Sequence, residues 1–228
     1  PQISVSSGYT TIYLQTGYVR NTGLELSLGY GHTWNNNFRW DSNFTLSHNK
    51  NKIKELVRDY VHPETGELIN KDRLDVGGLG KARFILKEGG TLGDLYTQSD
   101  LKRDDNGMVD IDPTGIVAIE NNLPDIKLGS VFPKANLAWS NHFSWKGISL
   151  SALFTARIGG IVYSATEAAM DQYGVSERSA LARDNGGVLV NNRTLVDAQN
   201  YYTTIGSQSG LPQYYTYNAT NVRLQEAS

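Results

Sequence analysis

The lengths of the connections constrain this chain more than any other feature. Stretches of apolar–polar alternation are joined by turns of two or three residues and by connections of tens of residues, in succession. Period-two alternation marks a strand with one apolar and one polar face. In residues 24–34, Leu24, Leu26, Leu28 and Tyr30 share one face, with Glu25, Ser27, Gly29 and Gly31 on the other. Asn35-Asn36-Asn37 then turns the chain, since asparagine tolerates positive φ at little cost. In 38–48, Phe38, Trp40, Phe44 and Leu46 oppose Arg39, Asp41, Asn43, Thr45 and Ser47. A second hairpin turns at Lys146-Gly147. In its first strand, 135–145, Ala135, Leu137, Trp139, Phe143 and Trp145 oppose Asn136, Ser140, His142 and Ser144. In its second, 148–158, Ile148, Leu150, Ala152, Phe154 and Ala156 oppose Ser149, Ser151, Thr155 and Arg157.

Shorter strands are expected at 81–88 and 93–101, either side of Gly89-Gly90, and a further one begins at Asn221. Residues 1–22 read as a loop leading into the first strand. The long connections are 49–80, 102–134 and 159–219, the last with a short helix around Thr166–Gln172. If the first strand runs towards its short turn, all three long connections fall at the opposite end. The chain begins at Pro1 without a leader-like segment and stops at Ser228 inside a segment that reads as strand. The expectation is a piece of a longer polypeptide.

Half-apolar hairpins suit a soluble sandwich with a wet outer face as well as a membrane wall. Loops this long are uncommon inside compact soluble domains. Outer-membrane barrels combine short turns on one side with long loops on the other, and carry aromatic girdles at both interfaces. Trp34, Phe38, Trp40 and Trp145 lie beside the short turns. The expected fold is all-β: an antiparallel transmembrane β-barrel segment with long extracellular loops. The mean hydropathy of −0.40 does not oppose this, because a barrel strand shows only one face to lipid. No run approaches the roughly 18 apolar residues of a membrane helix.

The chain has no cysteine, which excludes disulfides and thiolate chemistry. Lys+Arg 21 against Asp+Glu 23 leaves no basic footprint, so nucleic acid is not an expected partner. No Gly-x-Ser-x-Gly elbow, phosphate loop or dinucleotide fingerprint occurs, and neither catalysis nor a cofactor is expected. The stretch from Asp104 to Asp112 fits a calcium loop only in part. With Gly107 at the sixth position, Lys102 falls at the first and Pro113 at the twelfth, where ligands are needed. It is read as a solvated turn. His32, His48, His62 and His142 lack the i,i+4 spacing of a helical zinc site, so no metal is expected. Glu25, Asp41 and Arg39 are read as an ion-pair network on the lumen wall.

Several stretches carry a resemblance. They are Arg20-Asn-Thr-Gly-Leu-Glu-Leu, Phe44-Thr-Leu-Ser-His-Asn-Lys-Asn-Lys-Ile, Glu88-Gly-Gly-Thr-Leu-Gly-Asp-Leu-Tyr, Leu128-Gly-Ser-Val-Phe-Pro-Lys, Ser144-Trp-Lys-Gly-Ile-Ser-Leu-Ser-Ala-Leu-Phe and Asn221-Val-Arg-Leu-Gln-Glu. In order and spacing they resemble the C-terminal barrel part of a SusC-like TonB-dependent transporter of the Bacteroidetes outer membrane. The resemblance implies a barrel of about 22 strands with a plugged lumen, of which residues 1–228 would supply about seven. It implies import of a glycan or oligopeptide, energised through TonB by way of an N-terminal part absent from this chain. It also implies a SusD-like surface lipoprotein as lid, and dimers of such transporter–lipoprotein pairs. Outer-membrane lipid would cover the apolar face.

Residues 159–219, read as one long extracellular loop, hold seven of the 13 tyrosines and no Trp or Phe. A tyrosine offers a flat apolar face and a hydroxyl, which suits a sugar or peptide, and equally suits packing within the loop. The candidate substrate contacts are Tyr201, Tyr202, Tyr214, Tyr215, Asp171 and Arg178 in that loop, with His142 on the lumen wall. Two other readings stay open: a soluble, secreted β-sandwich binding module such as an adhesin or lectin, and a passive porin.

Overall fold

A computed structural model gives the fold and describes residues 17–62, 65–207 and 210–228. The chain opens with a long hairpin, β1 (Tyr18–Thr33) and β2 (Phe38–Glu55). A small hairpin follows, β3 (Val57–Val61) and β4 (Leu68–Lys71). Next come β5 (Arg73–Leu79), β6 (Ala82–Lys87) and β7 (Asp94–Thr97). Two-residue strands β8 (Asp100–Leu101) and β9 (Ile119–Glu120) precede β10 (Ile126–Ser130). The second long hairpin is β11 (Ala135–Trp145) and β12 (Ile148–Ile158). After β13 (Ile161–Tyr163) come helices α1 (Ala165–Gln172) and α2 (Glu177–Asp184). Strands β14 (Val188–Val190) and β15 (Thr194–Val196) lead to α3 (Ala198–Gly206). A 3-10 turn (Pro212–Tyr215), β16 (Thr216–Asn218) and β17 (Asn221–Ala227) complete the chain.

Five strands form one antiparallel sheet in the order β1-β2-β11-β12-β17. Its register puts Leu28, Phe44, Trp139, Phe154 and Leu224 in one cross-strand row, and Leu26, Leu46, Leu137, Ala156 and Val222 in the next. The alternate residues form polar rows, such as Ser27, Thr45, Ala138, Thr155 and Arg223. The apolar rows run from Phe38–Trp145–Ile148 to Leu24–His48. Ten residues at about 3.4 Å each, tilted by about 40°, make that band about 26 Å tall, the height of a barrel's lipid-facing belt. Leu24 (62% exposed), Ile148 (70%) and Val222 (72%) stand open on it. A sandwich would bury this face against a second sheet, and among the described residues nothing covers it.

The short turns follow from their residues. Asn37 sits at φ 61°, and Lys146 and Gly147 at 46° and 86°, the left-handed pair of a tight two-residue hairpin. Tyr30, His32, Trp34, Phe38, Trp40 and Phe143 stack in a chain of rings at this end, with centroid spacings of 4.5–6.5 Å.

Two expectations need correction. Residues 81–88 and 93–101 are not strands of the β1-β2-β11-β12-β17 sheet, to which the described residues supply five strands where about seven were expected. They lie in a separate four-stranded sheet, β10-β7-β6-β5. At six and four residues β6 and β7 fall short of the roughly 9–11 that span a bilayer. All of Asp94–Thr97 is buried, unlike a strand with one wet face. The stretches 49–80 and 102–134 are likewise not plain loops but parts of this built excursion. The chain alternation survives: the excursion from Leu56 to Lys134 and the one from Gly159 to Thr220 both leave from the end opposite the short turns. The strand expected at 24 begins at Tyr18. The loop expected for residues 1–16 lies outside the described residues.

The excursions are anchored and share a core. Ile53 near the top of β2 is fully buried. Its N–H donates to Gly90 O at 2.9 Å, and its carbonyl accepts from Gly89 N at 2.8 Å, which ties the turn after β6 to the wall. Leu101, Val109 and Val117 from the first excursion pack with Ala168, Val190, Val196, Ile205, Leu211 and Tyr215 from the second. The helix foreseen around Thr166–Gln172 is α1, capped by Ser164 Oγ accepting from Glu167 N.

Candidate functional site

The polar face of the wall carries the first group of candidate residues. Asp41 lies opposite His142, which in turn lies opposite Ser151. His142 Nδ1 and Ser151 Oγ are 2.8 Å apart, and Arg39 binds Asp41 at 2.6 Å. Asp41, His142 and Ser151 border a hollow of about 290 Å³ together with Asn43, Ser140 and Glu226. The expected joint network of Glu25, Asp41 and Arg39 is not formed. Glu25 pairs with Ser47 and Asp41 with Gly31, six residues up the strand, about 20 Å away. Nearer the long loops, Glu25, Thr45, Asn136, Arg157 and Arg223 line a wider basin of about 620 Å³.

The tyrosine-rich excursion divides its candidate residues into an inside and a rim. Asp171 (1% exposed) and Tyr215 (0%) are inside. Asp171 accepts hydrogen bonds from Ser176 Oγ and, at 2.9 Å, from Tyr215 Oη, and forms an ion pair with the Arg178 guanidinium. Arg178 lies 4.8 Å from the Tyr215 ring and 5.8 Å from the Tyr202 ring. Burial opposes the Arg178 charge, but the bond to Asp171 and that carboxylate's charge outweigh it, so its pKa is raised. Burial, and then the bond to Asp171, push the Tyr215 phenol far above its ordinary value. A carboxylate in this position needs a cation and donors to offset its lost hydration. The substrate-facing expectation for Asp171 and Tyr215 is therefore corrected: they form the polar core that joins α1, α2 and the 3-10 turn. Arg178 and Tyr202 are half-buried around it, and Tyr202 Oη donates to Arg178 O at 3.5 Å.

Tyr201 and Tyr214 belong to the rim. They border an open groove of about 430 Å³ with Arg103, Gly107, Met108, Leu189, Asn191 and Asn192, over a floor of Leu101, Val109 and Val190. Burial, and then the nearness of Tyr214 and Tyr202, push the Tyr201 phenol up to about 12. Burial raises Tyr214 too, with the Asp100 charge adding and Arg103 opposing. The groove is held open by a side-chain bridge. Asn191 Oδ1 accepts from Val109 N at 2.8 Å, and Asn191 Nδ2 donates to Val109 O at 2.9 Å.

The residues before the groove explain what the calcium comparison left over. Asp104 Oδ1 accepts from Asn106 N and Met108 N at 2.9 Å each. Asp112 Oδ1 does the same for Thr114 N and Ile116 N. Both carboxylates close their own turns. Among the described residues no group of three His, Cys, Asp or Glu side chains could hold a metal ion.

Sequence reasoning missed Arg103, Asn191 and Asn192. Asn191-Asn192 stands between Val188-Leu189-Val190 and Thr194-Leu195-Val196, the mark of a short hairpin. Both asparagines take positive φ, 57° and 53°. Nothing local marks Arg103.

No family model matches the chain. It is 27% identical over 178 residues to the TonB-dependent receptor P26 of Formosa agariphila, a match covering 71% of this chain and 17% of that protein. It is also 27% identical over 99 residues to the TonB-dependent receptor P39 of the same organism, covering 43% of this chain and 8% of that one. The chain thus spans less than a fifth of the length of these relatives. Among solved structures it superposes on the RagAB peptide transporter with a TM-score of 0.64 and 19% identity, covering 99% of this chain and 24% of that chain. The RagAB peptide importer in its closed-closed state gives 0.62 and 18%, with the same coverage. Fold and likenesses agree that the five-stranded sheet is a piece of a bacterial outer-membrane β-barrel.

Proposed function

We propose that this chain, similar to TonB-dependent receptors in sequence and to an outer-membrane transporter in fold, is part of a SusC-like importer of a large nutrient. TonB energises the import through a part of the protein outside this chain. A SusD-like surface lipoprotein closes the mouth, and such pairs associate as dimers. The observation that carries this reading is the continuity of wall and loops. Strand β2 passes through the apolar band and continues to Glu55, where Ile53 fastens the outer sheet to it. A wall of this kind presents a polar lumen face below and a rigid, groove-bearing assembly above. Tyr201, Tyr214 and His142 are the residues proposed to face the solute. A glycan and an oligopeptide both suit tyrosine and amide contacts.

The test uses outer membranes of the source cell, solubilised in detergent. The polypeptide holding this sequence is isolated, its intact mass taken and its companions identified. A chain several times 25.2 kDa with a bound lipoprotein, and uptake that stops when TonB is deleted, is the expected outcome. Uptake that persists without TonB would replace the importer by a passive porin.

A further inference from the structure

We infer that the groove beside Tyr201 and Tyr214 is a subsite for an anionic sugar unit, with Arg103 pairing its acidic group. This rests on the importer reading and narrows its substrate to acidic glycans.

Three observations carry it. First, Arg103 is a cation without a carboxylate partner among the described residues. Its Nη1 donates to Gly107 O at 2.9 Å, and the ion pairs formed elsewhere do not include it. Three of the neighbouring acids are engaged elsewhere. Asp110 pairs with Lys102 at 2.6 Å, Asp104 closes its own turn, and Asp100 accepts from Gln213 and from Leu101 N. No acidic residue lines the groove. A guanidinium bonded, among the described residues, only to the neutral Gly107 carbonyl and Tyr214 phenol favours a planar carboxylate or a sulfate.

Second, the cation is flanked by rings. Tyr201 and Tyr214 border the same groove, and the Arg103 charge acts on both phenols. A flat aromatic face with a hydroxyl stacks on a sugar ring while it hydrogen-bonds a ring hydroxyl. The exposed amide of Asn192 adds both a donor and an acceptor.

Third, the groove offers an extended peptide no strand edge at Val109. A peptide recognised by strand addition needs free backbone N–H and C=O groups. The Val109 N–H and C=O are both taken by the Asn191 amide. The apolar side chains beneath, Leu101, Val109 and Val190, are buried, so no deep apolar pocket awaits a peptide side chain.

The experiment measures binding to the full-length transporter, purified in detergent from outer membranes, by calorimetry. The probes are a trigalacturonate, a sulfated galactose trimer, the neutral galactose trimer and an acidic tripeptide. At least tenfold tighter binding of an anionic trimer than of the neutral one is expected. Arg103→Gln should remove that preference, so that anionic and neutral trimers bind alike. The better of the two anionic probes identifies the acidic group as carboxylate or sulfate. Arg103 is exposed, and unchanged heat-modifiable migration in gels checks that the variant is folded. Equal binding of neutral and anionic trimers, a preference that survives Arg103→Gln, or tighter binding of the tripeptide would each overturn the inference. Those outcomes leave the importer reading standing if uptake still needs TonB. Loss of the TonB requirement would fell the importer reading instead.

Discussion

Trp139 on β11 donates its indole N–H to the hydroxyl of Ser42 on β2 at 2.9 Å. Two rows nearer the short turns, Trp40 donates to Asn141 Oδ1 at 3.1 Å. Ser42 and Asn141 are register partners, the polar pair in an otherwise apolar stretch of the lipid face. Each tryptophan thus satisfies a polar group that lipid would leave bare, and is itself satisfied in return.

That reciprocity has a measurable consequence. Asn141→Leu leaves the Trp40 indole N–H without a partner and should cost about 1–3 kcal/mol. Adding Trp40→Phe removes the orphan, and the double variant should regain part of the loss. Urea unfolding of the full-length protein in lipid vesicles, run as a double-mutant cycle, checks this. Additive losses would mean that the two residues do not interact.

Depth in the membrane should separate two leucines of equal exposure. Leu28 (57% exposed) lies in the row of Phe44 and Trp139, near the middle of the band. Leu150 (56% exposed) lies one row from the short turn, about 5 Å inside the girdle. Leu28→Arg should cost about 2–4 kcal/mol and Leu150→Arg about 0–1 kcal/mol. Folding yields into vesicles of matched thickness rank the two variants. A reversed order would mean that the depth assignment is wrong.

The polar core of the outer unit should break as a whole. Asp171→Ala strands the Arg178 guanidinium against the rings of Tyr215 and Tyr202. Arg178 is about one-third exposed, so the cost falls at the low end for a broken buried pair, about 3 kcal/mol. Hydrogen exchange should quicken across α1, α2 and α3 while the wall strands stay protected. Equal quickening of β11 and β12 would show that the outer unit is not separately stabilised.

Acid should loosen the four-stranded outer sheet. Two hydrogen bonds from Arg73, at 2.7 and 2.9 Å, and the Lys87 ammonium at 2.7 Å hold Asp125 well below the usual carboxylate range. A carboxyl whose folded pKa is depressed adds stability above its unfolded value of about 3.9 and loses it as pH falls below that. Amide exchange in β5, β6 and β10 should therefore accelerate below about pH 4. Arg73→Gln should flatten the dependence. A pH profile unchanged by Arg73→Gln would place the acid sensitivity elsewhere.

The wall was legible in the sequence because each of its determinants is local. Alternation of Leu24, Leu26 and Leu28 with Glu25 and Ser27 fixes two faces, and Lys146-Gly147 fixes a tight turn. A one-residue slip would put every side chain on the wrong face, so the facing of each strand followed from the same pattern, while the register that separates Glu25 from Asp41 did not. Only the tertiary structure decided that β6 and β7 join an outer sheet with β5 and β10 rather than the wall, because two strands intervene between β7 and β10 along the chain and nothing in either β6 or β7 names β10 as a partner. It also decided which tyrosines face outward. Tyr214 and Tyr215 are adjacent and chemically identical, yet one borders the groove and the other bonds to Asp171 in the core. Burial depends on what the rest of the chain brings to a residue, and neither the pattern of its neighbours nor its own chemistry contains that.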